Sequence, residues 1–127
     1  MSDNFSSKSA ILLACFTMAA VEGSLKDKIP FIKRIDDEND PSDWDAAMDF
    51  WNNNDVVPCM EHSIAHVDSE HKHALIANLV DIASAFGDIE ELEQGLLTHY
   101  IVQLGADDDM TDKILDVILI KNAVKYL

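Results

Sequence analysis

The sequence predicts an all-α protein of about seven helices, arranged as two pseudo-symmetric helical hairpins in a single domain over residues 1–127. Three observations lead there. Apolar residues recur at helical spacing along nearly the whole chain, as in Ile11, Cys15 and Met18 beside Leu12, Phe16 and Ala19. The interruptions carry helix-stop and helix-start chemistry rather than strand turns. A shift of 64 residues then lays one half of the chain on the other, Gly23 falling on Gly87 and Ala19 on Ala83.

The elements follow in order. Ser6 or Ser7 can cap a first helix that Gly23 ends, and Ser24 with Asp27 begins a second, running to about Asp36 with Pro30 inside it. Pro30 removes one backbone donor, so a kink or a late start is expected there. Asp40-Pro41 opens a third helix, with Ala46, Ala47, Phe50 and Trp51 facing inward, until 52-NNND-55 breaks it. A short helix near Val57–His66 comes next. Asp68 or Ser69 caps a long fifth helix to about Phe86, which Gly87 stops. Asp88 with Glu91 resembles a capping box for a sixth helix to about Leu104. After 105-GADDD-109, a last helix carries Ile114, Leu115, Ile118, Leu119 and Ala123. Trp44 and Trp51, seven residues apart on one face, read as core anchors, or else as a docking pair for a partner.

Composition limits the function. The chain has 24 acids against 9 bases, a net charge of −15, which argues against nucleic acid or anionic lipid as partner because both need a positive surface. The longest apolar run, around residues 10–21, is shorter than the roughly 18 residues of a membrane span and reads as amphipathic. No secretory leader is expected, and two cysteines are too few for a disulfide framework, so the expected setting is the cytoplasm. The charge is also uneven. Between Ile35 and His71 there are eleven acids and no Lys or Arg. That stretch is either a solvated face or a docking surface for a cation or a basic partner.

The repeats cover residues 10–36 and 74–104. Apolar positions coincide (Ile11/Leu75, Leu12/Ile76, Cys15/Leu79, Phe16/Val80, Leu25/Ile89), and so do the caps Ser24/Asp88 and Asp27/Glu91. Two such hairpins would bury their stripes against each other. The segments 19-AAVEGSLKDKI-29 and 83-ASAFGDIEELE-93, each a helix, a glycine stop and a restart, resemble the tellurite-resistance TerB family and its TerB-like relatives. The likeness covers roughly residues 8–36 and 72–124. The family marks an Asp before the glycine and a Glu six residues after it. Here the first repeat has Glu22 and Ile29 at those places, and the second has Phe86 and Glu93. The resemblance implies a non-catalytic, stress-linked intracellular domain. It also implies divalent-metal binding (Ca²⁺, Zn²⁺ or Mn²⁺, none needed for folding) through acids, for which Glu22, Asp88 and Glu93 are the candidates. Its expected partners are proteins, basic or part of a membrane-associated complex, without direct membrane insertion.

The residues themselves raise a question about two of those acids. At ~100° per residue, Glu22 falls about 20° from Ile11, and Glu93 about 40° from Ile89. Both therefore point toward the apolar face. A buried unpaired carboxylate is costly. Each must accept backbone N–H bonds at a neighbouring helix start, lie at a wet edge, or share a metal or proton site between the repeats.

A second constellation is 59-CMEHSIAHVDSEHKH-73. Cys59, His62 and His66 at i, i+3 and i+7 share a helical face and have the ligand types zinc takes, making them the alternative metal cluster. The bland reading is surface histidines beside acids with Cys59 buried, and a Cys–His nucleophile is the third. Calcium loops fail: Pro41 stands where 36-DDEND-40 would need a turn glycine, and Ala47 where it would need a glutamate. There is no phosphate loop or nucleophile elbow. The reading is a TerB-like domain that binds metal ions or partner proteins through acidic surfaces. The competing class is a small acidic inhibitor or immunity-type protein that masks a basic partner.

Overall fold

The computed structural model describes residues 5–21, 23, 25–36, 40–85 and 89–123. The described chain is helical: α1 (Ser7–Val21), α2 (Leu25–Ile32) running into a 3₁₀ turn (Lys33–Ile35), α3 (Ser42–Asn53), α4 (Val56–His66), a 3₁₀ turn (Ser69–His71), α5 (Lys72–Ala83), α6 (Glu91–Leu104) and α7 (Asp108–Ala123). Among the described residues there is no strand.

α1 is the axis of the molecule. It packs against α2, α3, α4, α5 and α6, and every residue from Ser9 to Ala19 is buried. The expected amphipathic stripe is therefore absent, because neighbours cover α1 on all sides; a helix apolar all round is a central one. Its polar residues are satisfied locally. Thr17 Oγ1 donates to the Leu13 carbonyl at 2.8 Å, and Ser9 Oγ to the Asp43 carbonyl at 3.0 Å. Leu12, Leu13, Phe16 and Met18 form the core with Leu75, Ile76, Leu79 and Val80 of α5. Trp44 sets its ring edge-on to Phe16 at 5.0 Å, with the Lys33 ammonium 4.1 Å over its own ring, while Trp51 packs half-buried at the core margin. Both tryptophans thus serve the core.

The two hairpins touch: α1 packs on α5 and α6, and α2 on α5. Gly23, at φ +74°, turns the chain after α1 and donates its N–H to the Ala20 carbonyl. Gly105, at φ +62°, ends α6 in the left-handed conformation that glycine adopts without a Cβ clash. Phe86 and Gly87 lie outside the described residues.

Four boundaries differ from expectation. α5 ends at Ala83 rather than near Phe86, the Ser84 N–H donating to the Val80 carbonyl at 3.0 Å. α2 tightens to a 3₁₀ turn three residues after Pro30, whose missing N–H leaves one carbonyl of the preceding turn without its helical partner. α5 begins at Lys72, not at Asp68 or Ser69. The Asp68 side chain makes no capping bond, and its backbone N–H instead donates to Ser7 Oγ at 3.0 Å. α6 starts at Glu91 with its capping box on Glu90 and Glu93 rather than on Asp88 and Glu91.

Candidate functional site

That shift of the capping box explains Glu93. As the third residue of α6, its carboxylate reaches back so that the Glu90 N–H donates to Oε1 at 3.2 Å. Its other oxygen, Oε2, accepts from Lys28 Nζ at 3.1 Å. Both side chains are buried, with 5% of Lys28 and 3% of Glu93 exposed. The ammonium thus supplies the positive charge that a metal ion would bring, and it bridges α2 of one hairpin to α6 of the other. A backbone N–H at a helix start does satisfy the carboxylate, but at the start of its own helix. Glu22 and Asp88 lie outside the described residues.

Sequence reasoning missed Lys28. The signal was present: under the 64-residue shift, Glu93 falls on Ile29, next to Lys28. It also missed Asp81 of α5, which accepts from Lys121 Nζ (3.2 Å to both oxygens), Arg34 Nη2 (3.4 Å) and Asn122 Nδ2 (3.1 Å). Asp81 thereby ties α7 and the end of α2 to α5.

His62 and His66 stand ring to ring, centroids 3.9 Å apart, but among the described residues Cys59 does not join them as a third ligand. Cys59 is buried, its Sγ directed at the Asn54 carbonyl 3.9 Å away. His62 stacks on Phe50 with ring centroids 4.0 Å apart and meets the Phe5 ring edge at 4.4 Å. His66 Nδ1 donates to the His62 carbonyl at 2.9 Å. Burial, with Asp55 adding, pushes the Cys59 thiol up, and burial does the same to Cys15. That is the opposite of what an activated nucleophile needs. The Tyr100 hydroxyl is buried beside the Ser63 and Thr17 hydroxyls, which donate to the Cys59 and Leu13 carbonyls and keep lone pairs toward it.

Among the described residues, the group whose ligand atoms converge is Asp68, Glu70 and His71, within 4.8 Å of one another and exposed. His71 Nδ1 lies 3.6 Å from Asp68 Oδ2 and is also hydrogen-bonded to Ser7 Oγ at 2.9 Å.

The acidic stretch takes a definite form. α3 and α4 contain no Lys or Arg. They expose Asp45, Asp49 and Glu61, with Asp55 exposed in the link between them, and none of these four is ion-paired among the described residues. Asp45 and Asp49, at i and i+4, lie on one face of α3, where like charges repel. Two apolar grooves open on the surface. One, of about 650 Å³, lies between α6 and α7 and includes Leu97, Ile101, Leu115 and Leu119. The other, of about 730 Å³, lies between the start of α4 and α6. No helix among the described residues is long and apolar enough to cross a membrane.

No family model, curated protein or solved structure matches this chain.

Proposed function

We propose that the chain is a non-catalytic, TerB-like interaction domain of the cytoplasm whose acidic surface binds a basic protein partner. One observation carries the reading: Asp45, Asp49, Asp55 and Glu61 stand exposed, and without an ion pair among the described residues, on two successive helices and the link between them, which hold no Lys or Arg. Three of the cations are engaged in ion pairs on other elements, Lys28 with Glu93 and Arg34 and Lys121 with Asp81. A cationic partner relieves the repulsion that the free protein carries, and complementary fields speed its encounter. On the TerB resemblance that partner belongs to a stress- or tellurite-resistance assembly. On the immunity-type reading it is a basic protein being masked. Both use the same surface.

The test is calorimetric titration with a Lys-rich peptide of about 18 residues, roughly five helical turns. We expect saturable binding that weakens steeply with added salt and that the Asp45→Lys/Asp49→Lys variant loses. Equal binding by that variant and the unaltered protein removes the reading.

A divalent metal is the second reading, and Asp68, Glu70 and His71 favour it by their convergence. At Glu93 the Lys28 ammonium argues against it. Titration of the metal-free protein with Ca²⁺, Zn²⁺ and Mn²⁺ decides: binding heat abolished by His71→Ala supports this site, and heat unchanged by it rejects the site.

A further inference from the structure

Gly95 sits inside α6, and neither its backbone nor its packing requires a glycine. Its φ is not positive, and a Cβ built on it meets nothing within 4 Å. A glycine in a helix interior weakens the helix relative to alanine. The missing side chain therefore keeps space open outside the molecule. That space is the groove between the start of α4 and α6, where Gly95 forms part of the floor. Its walls are Val21, Val56, Met60 and Leu92. Leu92 is 62% exposed and Val56 39%, an apolar surface left in water. Glu91, Leu96 and His99 complete the lining, and neither α4 nor α6 carries a Lys or Arg.

We infer that this groove is the seat of a basic amphipathic helix from the partner protein. Apolar residues at i, i+3, i+4 and i+7 of that helix would enter between Leu92 and Val56, the helix-in-groove mode of recognition. Crossing over Gly95 lets the two helix backbones approach at the short end of the usual 8–10 Å range. Charge selects the occupant. Glu91 in the lining, on helices that bear no Lys or Arg, meets a cationic outer face favourably, whereas a second copy would set one net charge of −15 against another. The inference rests on the acidic-docking reading above and names where the contact is made.

The experiment uses the full chain, isotope-labelled, and two peptides of about 18 residues. One places Leu on a single helical face with Lys elsewhere, and the other has the same composition scrambled. Gly95→Leu is the key variant. Its added side chain has open space to occupy, so it folds with a melting temperature no lower than the parent's, and Leu92→Asp serves as a second variant from the same groove. Expected are amide shifts centred on Val56, Met60, Leu92, Gly95 and His99, weaker binding of the scrambled peptide, and about tenfold weaker binding by both variants. Binding that Asp45→Lys/Asp49→Lys abolishes and Gly95→Leu leaves intact overturns the groove while keeping the acidic-docking reading. Equal binding of the scrambled peptide does the same. No saturable binding overturns both. A parent dimer that Gly95→Leu turns into a monomer makes a second copy the occupant and overturns the inference.

Discussion

Lys28 and Glu93 put an ion pair inside the protein. Removing Lys28 leaves the buried Glu93 carboxylate without its ammonium. Lys28→Met is expected to cost about 3–5 kcal/mol of unfolding free energy. Lys28→Met/Glu93→Leu should cost clearly less than the sum of the single changes, because it removes both charges together, the capping bond to Glu90 going with them. A double-mutant cycle in urea measures this, and additive losses would show that the pair is not coupled. The buried thiols give a pH prediction. Cys15 and Cys59 are held above their ordinary value of 9.0, and Tyr100 above 10.0, in each case chiefly by burial. The folded protein keeps protons that the unfolded chain releases. The resulting stability is whole below the ordinary thiol range and is lost as pH rises through 9.0 toward the higher folded values. Unfolding free energy should fall by up to about 1.4 kcal/mol per pH unit per group between about pH 8 and 10, and Cys59→Ala should flatten the slope. A flat profile in the parent would contradict it.

The helices differ in how firmly they are held. α1 is enclosed by five others, whereas α7 rests mainly on α5 and leaves Val117 and Ile120 exposed. Its fastening is Asp81 with Lys121 and Asn122, and Asn122 Nδ2 also donates to Ser84 Oγ at 2.7 Å. The ion pairs are over half exposed on the cationic side and are worth little, so the buried Asn122 bonds matter more. Hydrogen exchange should open α7 well before α1, and Asp81→Ala should speed exchange in α7 while leaving α1 unchanged. Uniform acceleration across both helices would mean that α7 is not a separate unit. At this scale the sequence was informative where punctuation is local. Gly23, Asp40-Pro41 and Gly105 marked breaks that the structure keeps, because turn conformation and a missing N–H act on immediate neighbours. It was uninformative where neighbours decide. The spacing of Ile11, Cys15 and Met18 suggested one buried stripe, but α1 is buried all round. Lys28 could not be matched to Glu93 from either segment alone, since 65 residues separate them and only the docking of the hairpins joins them. Cys59, His62 and His66 share a helical face by spacing, yet the rings of Phe5 and Phe50 claim His62.

For the molecule as a whole, charge connects structure to function. A net charge of −15 works against compactness; Lys28, Arg34 and Lys121 close the bundle in ion pairs, and α3 and α4 carry no base of their own. A ligand that binds only the folded state stabilises it by about 2.7 kcal/mol at 100 times its dissociation constant. Thermal unfolding can therefore compare candidate ligands directly. The decisive measurement is the melting temperature of the parent protein titrated with the amphipathic Leu/Lys peptide, and separately with Zn²⁺ and Mn²⁺, at low and at high salt. The account predicts a saturating rise of several degrees with the peptide that disappears at high salt. No rise with the peptide, alongside a saturating and salt-resistant rise with a metal ion, would contradict it.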